Sequence, residues 1–140
     1  MTVEAKKAYK KPLPQVEPEA KPYWEALKAH AMKVQCCADC GRWFFPPRTI
    51  CPGCMSENVP WTPVSGRGKV WGVTNFHHAF HPGFADEIPY NLSVVELEEG
   101  ARVVTNVIGC PVEDVKIGMD VEVVYDDVTD EFTLAKFKPV

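Results

Sequence analysis

Cys37-Ala38-Asp39-Cys40-Gly41 and Cys51-Pro52-Gly53-Cys54 form two C-x-x-C knuckles, with ten residues between Cys40 and Cys51. Each knuckle lets two thiolates converge on one ion while nearby backbone N–H groups point at the sulfurs, and two knuckles complete a tetrahedral four-sulfur shell. Such a shell has no open position for a catalytic water. The metal it predicts, structural zinc on Cys37, Cys40, Cys51 and Cys54, therefore supports the fold and takes no part in chemistry. Iron fits the same soft tetrahedron and is the alternative ion. Cys36 stands beside Cys37, but Cys36 to Cys40 is one residue too long for the tight knuckle. Cys110 closes a predicted strand and reads as a small buried apolar side chain.

Six cysteines raise the question of disulfides. Met1 to Lys11 is lysine-rich with no apolar stretch behind it, so the expectation is a cytoplasmic chain in a reducing compartment, where paired C-x-x-C spacings read as metal ligands. No apolar run approaches the roughly 20 residues of a membrane span, and no membrane role is expected. The 140 residues carry a net charge of -4. Nucleic-acid binding rests on clustered Lys and Arg, so nucleic acid is not the expected partner.

Working outward from the cysteines, residues 34–63 hold Trp43-Phe44-Phe45-Pro46-Pro47 and no helical period, and they read as a ribbon of hairpins around the metal. Residues 1–33 read as an extended arm, broken by Pro12, Pro14, Pro18 and Pro22, followed by a short amphipathic helix from Pro22 to about Met32. Tyr23, Trp24, Leu27 and Ala31 share a face of that helix. Apolar helical faces usually serve the local core; the alternative use of Tyr23, Trp24 and Leu27 is docking on a partner.

Residues 64–140 contain five β-branched or aromatic runs bounded by turn residues: Gly66 to His77, Asn91 to Leu97, Arg102 to Ile108, Asp120 to Tyr125 and Thr133 to Phe137. Pro111 to Lys116, between the third and fourth, has room for one helical turn. That count and insertion point fit a five-stranded Greek-key barrel of the OB type. The fold class expected is mainly β: an N-terminal helix, a rubredoxin-like zinc ribbon, then a five-stranded OB-fold barrel.

His77, His78, Phe80, His81 and Phe84 crowd the loop after the first barrel strand, with Tyr90 at its far end. Surface histidines are the plain reading; a ligand-facing loop against the adenine or pantetheine part of a nucleotide-like molecule is the functional one. Glu96, Glu98 and Glu99 read as a solvated hairpin tip. There is no Gly-rich phosphate loop, no G-x-S-x-G, no H-E-x-x-H and no nucleophile with an adjacent base. A stand-alone enzyme is not expected.

Taken together, Tyr23-Trp24, Cys37-Ala38-Asp39-Cys40-Gly41, Phe45-Pro46-Pro47-Arg48, Cys51-Pro52-Gly53-Cys54, Trp61, Ser65-Gly66-Arg67-Gly68, Pro89-Tyr90, Leu97-Glu98-Glu99-Gly100 and Phe137-Lys138-Pro139 resemble the zinc-ribbon plus OB-fold family first catalogued as a domain of unknown function. Its members accompany thiolases and other acyl-CoA enzymes, and the chain is most similar to the small zinc-finger subunits of thiolases that cleave 2-benzoylsuccinyl-CoA in anaerobic toluene degradation. The resemblance covers Tyr23 to Pro139. It implies a non-catalytic auxiliary subunit of an acyl-CoA C-acyltransferase complex: the thiolase-like partner carries the nucleophile and base, and this chain helps to form the site of the coenzyme A thioester. Two alternatives are a single-stranded nucleic-acid module using Trp71, Phe76 and Tyr90 as a stacking platform, and an iron-sulfur electron carrier of rubredoxin type.

Overall fold

The structure, a computed structural model, describes residues 11–140; the part of the expected arm before Lys11 lies outside them. Helix α1 spans Lys21–Lys28, with Pro22 in its first turn, where proline is well suited. Eight strands follow: β1 Lys33–Cys36, β2 Trp43–Phe44, β3 Trp61–Pro63, β4 Arg67–Phe76, β5 Tyr90–Leu97, β6 Arg102–Thr105, β7 Asp120–Asp127 and β8 Thr133–Pro139. They make two antiparallel sheets, β2-β1-β3 and β6-β5-β4-β7-β8.

The larger sheet is curled until its edge strands meet. Just past β6, Val107 forms a parallel bridge with Phe137 of β8. The backbone bonds Ile108 N–H to Phe137 O at 2.7 Å and Phe137 N–H to Asn106 O at 3.0 Å close the seam. The result is a part-open five-stranded barrel of OB type. Buried Asn91 explains why β6 stops at Thr105. Its Nδ2 donates to Val107 O at 2.6 Å and its Oδ1 accepts from Val107 N–H at 2.8 Å, so a side chain replaces the ladder that the neighbouring strand would provide. Released from β5, residues 106–108 cross to β8. The expected helical turn between the third and fourth barrel strands is one 3₁₀ turn, Val112–Asp114.

Helix and sheets share one core. Tyr23, Leu27, Met32 and Val34 pack with Val70, Val95, Leu97, Val103, Val107, Val121 and Phe137. The helix ends earlier than its apolar spacing suggests, because His30 adopts a left-handed backbone, φ 56°. Its ring lies flat on Tyr125 with centroids 4.9 Å apart, and its Nε2 meets the Asp127 carboxylate at 2.9 Å. Ala31, expected on the apolar helical face, is exposed, and Met32 is buried in its place. No described helix is long and apolar enough to cross a membrane.

Candidate metal centre and ligand surfaces

The ribbon sheet brings Cys37, Cys40, Cys51 and Cys54 together, with all four sulfurs within 4.8 Å of one another. Cys37 Sγ lies 3.5 Å from Cys54 Sγ, and Cys40 Sγ lies 3.6 Å from Cys51 Sγ. A tetrahedron with zinc–sulfur bonds of about 2.3 Å has edges of roughly 3.8 Å, so these residues fit a zinc ion.

The two knuckles are built alike. Cys40 N–H points at Cys37 Sγ at 3.4 Å and Gly53 N–H at Cys51 Sγ at 3.3 Å. Gly41 N–H closes on Cys37 O at 2.8 Å and Met55 N–H on Cys51 O at 3.0 Å. Gly41 and Met55, each just after its second cysteine, both have positive φ, 79° and 69°.

The thiols of the shell do not titrate alike. Burial pushes the Cys37 thiol up, but the backbone N–H groups of Cys40 and Asp39 together with the adjacent thiols outweigh it and hold it at about 6. For Cys54 the Ser56 N–H lowers the value, but the other three sulfurs outweigh it and push it to about 12. Four sulfurs in one shell cannot all carry negative charge without a cation between them, which is the chemistry a divalent metal supplies. Cys36 lies outside the shell, with its sulfur 3.7 Å from Gly41 O. Its thiol is raised, first by burial and then by Cys37. Burial also raises Cys110, with Asp114 and Glu113 adding to it.

The residues expected to face a ligand form an aromatic cluster at the far end of β4. The Phe84 and Tyr90 rings stack at 4.8 Å, Phe76 meets Tyr90 at 5.3 Å and Phe80 at 5.9 Å, and His78 meets Phe80 edge-on at 4.7 Å. Phe80 is 75% exposed, an apolar ring held out into solvent. His81 serves its own loop, where its Nδ1 accepts from Gly83 N–H at 2.9 Å and caps the 3₁₀ turn Pro82–Phe84. His77 is exposed and stands apart from these ring contacts. Phe84 and Tyr90 also line a cavity of about 310 Å³ that reaches Cys110 and Lys136.

Tyr23 and Leu27, proposed from sequence either for the core or for a partner, are 8% and 0% exposed. The Tyr23 ring packs on Phe45 at 4.9 Å, and its burial raises the phenol well above its ordinary range. Their side chains serve the chain's own core, which leaves the half-buried Trp24, edge-on to Phe132 at 5.8 Å, as the one of the three candidate docking residues that reaches solvent.

The three aromatics suggested as a strand-binding platform do not form one surface. Phe76 and Tyr90 belong to the cluster, whereas Trp71 lies five residues down β4, about 17 Å at 3.4 Å per residue. There it sits at the bulge between Val70 and Gly72, with the Arg102 guanidinium 4.2 Å above its ring. The glutamates at the hairpin tip are also engaged: Glu99 and Glu98 each accept from Ser65, its N–H and its hydroxyl respectively, both at 2.9 Å. That latch joins the tip to the ribbon–barrel junction. Arg42, Arg48 and Arg102, none of which sequence spacing brings together, line one cleft between ribbon and barrel.

A four-cysteine ribbon feeding a curled five-stranded sheet defines a zinc-ribbon and OB-fold protein. The chain belongs to the ChsH2 family, also described as DUF35: residues 24–60 match the ChsH2 rubredoxin-like zinc ribbon domain and residues 61–126 the ChsH2 C-terminal OB-fold domain. It is 35% identical over 129 residues, 92% of this chain, to a probable enoyl-CoA hydratase alpha subunit of Thermomonospora curvata, and spans 40% of that relative's length. It is 38% identical over 111 residues to a DUF35 domain-containing scaffold protein of Methanocaldococcus jannaschii, covering 74% of this chain and 78% of the relative. The benzoylsuccinyl-CoA thiolase subunit BbsA of Thauera aromatica is 29% identical over 109 residues, 70% of this chain and 74% of that one. Among solved structures, the Ltp2-ChsH2(DUF35) aldolase superposes with a TM-score of 0.81 at 35% identity, over 91% of this chain and 98% of the matched one.

Proposed function

We propose that this chain is a non-catalytic, zinc-stabilised subunit of an acyl-CoA enzyme complex, in the first instance a thiolase-type acyl-CoA C-acyltransferase, and that it helps to form the acyl-CoA site. The observation that carries the reading is the closed four-sulfur shell, with no nucleophile–base pair among the described residues: the site holds the ribbon together and leaves bond-making to another subunit. Two relatives whose names specify acyl-CoA chemistry are themselves named as subunits, and a third is named a scaffold protein. The aromatic cluster around Phe80 and Phe84 supplies an apolar wall for the ligand. Within this reading the candidate reaction is cleavage of 2-benzoylsuccinyl-CoA in aromatic degradation.

A second partner class has its own support. Identities of 35% to the hydratase alpha subunit and 35% to the matched chain of the Ltp2-ChsH2(DUF35) aldolase support a hydratase or aldolase partner as the second reading.

One experiment separates these readings. The untagged native partner is co-purified with the tagged full chain and identified by mass, and the complex is assayed for thiolysis, hydration and retro-aldol cleavage of acyl-CoA substrates. A thiolase that is active only with this chain is the expected outcome. A hydratase or aldolase in its place replaces the partner, and an isolated chain that turns over acyl-CoA unaided sinks the auxiliary role. Sub-micromolar, salt-sensitive binding of single-stranded DNA or RNA would promote the nucleic-acid reading instead.

A further inference from the structure

Arg42 follows the first knuckle, Arg48 lies in the loop before the second, and Arg102 stands on barrel strand β6. All three border one cleft of about 430 Å³, whose walls include Trp43 and Phe45 and the backbone of Gly100. That volume falls within the range of small-molecule sites. Arg102 is engaged on one side: its Nε donates to Glu96 Oε2 at 3.0 Å and its plane covers Trp71. Among the described residues, neither Arg42 nor Arg48 has a carboxylate partner. In a chain of net charge -4, two such exposed guanidiniums at the same cleft make a local positive patch that attracts an anion.

The backbones that carry Arg42 and Arg48 are anchored. Arg48 N–H donates to buried Gln35 Oε1 at 2.8 Å, and Gln35 Nε2 donates back to Arg48 O at 2.6 Å. Arg42 O accepts from Cys37 N–H at 2.8 Å. The other large groove of the barrel, about 480 Å³, makes the contrast: it sets Arg67 and Lys69 against Glu96, Glu98, Asp120 and Glu122. Its four carboxylates outnumber its two cations, so it does not favour an anion.

We infer that the Arg42–Arg48–Arg102 cleft binds the phosphates of a nucleotide-bearing ligand, with Trp43 as its apolar wall. The planar guanidinium fork matches a phosphate edge with two parallel hydrogen bonds, a match an ammonium does not reproduce. The identity of the ligand as coenzyme A rests on the acyl-CoA reading above; the anion chemistry of the cleft does not.

The test titrates the zinc-loaded full chain with coenzyme A, inorganic pyrophosphate and pantetheine, followed by calorimetry and tryptophan fluorescence. Coenzyme A and pyrophosphate are expected to bind, more weakly as salt rises, and pantetheine, which lacks phosphate, is expected not to. Arg48→Ala and Arg42→Ala should each weaken both anions tenfold or more, and Arg48→Lys should recover only part of the loss. Zinc content and melting temperature should stay at the parental values in Arg48→Ala. Arg42 also lies close to the second knuckle, so an Arg42→Ala variant that loses zinc assigns that arginine to the metal shell and removes it from the proposed site. Coenzyme A bound with unchanged affinity by Arg48→Ala overturns the site and leaves the acyl-CoA reading standing. Pyrophosphate lost on Arg48→Ala while coenzyme A binds no better than pantetheine keeps the anion site and overturns its assignment to coenzyme A. No binding of either anion at millimolar concentration overturns the inference outright.

Discussion

Met55 and Gly41 occupy equivalent places in the two knuckles, and only one of them is a glycine. A side chain at positive φ costs roughly 1–2 kcal/mol, whereas glycine costs the unfolded chain about 0.5–1 kcal/mol in entropy. Met55 is 72% exposed, so little packing offsets its strain. Met55→Gly should therefore raise stability by up to about 1 kcal/mol with zinc content unchanged, read as a shift in the urea midpoint. Gln35 is the reverse case, a buried amide that spends both ends on backbone groups: Arg48 N–H, Arg48 O and Val59 O at 2.8, 2.6 and 3.2 Å. Gln35→Ala strands those groups, and the expected loss is about 2 kcal/mol in the same measurement. The four cysteines were readable because thiolate spacing is local in sequence. Gln35 was not, since nothing in a polar residue on a short strand announces that a loop thirteen positions later will need it. The arginine cleft was hidden for the same reason: positions 42, 48 and 102 meet only after the ribbon has folded back on the barrel.

Strand β4 is the element on which the barrel turns, because it pairs with β5 along most of its length and with β7 at its start. Gly68 lies where all three strands meet, opposite both Leu97 and Val121. A Cβ there would stand 2.4 Å from Glu96 O and 2.9 Å from Val95 Cγ1, and the first of these is backbone that cannot swing aside. Gly68→Ala should force β4 and β5 apart and cost about 3 kcal/mol, seen as a lower melting temperature and as loss of amide protection along β5 ahead of β8. The five barrel strands were legible as β-branched or aromatic runs, and their starts and stops fall close to the turn residues that bound those runs. Two ends were not. Strand β6 stops where Asn91 substitutes its side chain for a strand, and α1 stops where His30 finds a stacking surface on Tyr125 and a carboxylate on Asp127. Both are decided by groups distant in sequence, which override local periodicity.

At the scale of the molecule, ribbon, helix and barrel share one core through Tyr23, Leu27, Met32 and Val34, so loss of the metal should be felt beyond the knuckles. The ribbon's own apolar cluster is small, Cys37, Phe44 and Cys51 with Val59 against them, and two of its members are metal ligands. One zinc per chain is expected, and stability should follow its occupancy. The pH dependence separates the metal-loaded from the metal-free protein. Without metal, Cys37 and Cys51 are lowered from their ordinary value of 9.0, and Cys40 and Cys54 are raised from it. The lowered pair contributes stability that is complete above 9 and lost as pH falls through the folded values, near 6 for Cys37. The raised pair contributes stability that is complete below 9 and lost as pH rises, through about 12 for Cys54. Below 9 the metal-free chain therefore feels only the lowered pair, and its melting temperature should decline gently as the pH is taken from 8 to 5. With zinc bound all four are thiolates, and all four then act in the same direction: the unfolded chain takes up as many as four protons that the folded chain does not hold. The zinc-loaded melting temperature should fall more steeply over the same interval, and zinc released to a chromophoric chelator should appear in the same transition. Equal slopes with and without zinc would remove the metal from the folding equilibrium. A red, iron-containing protein from metal-balanced growth would instead assign the shell to electron transfer.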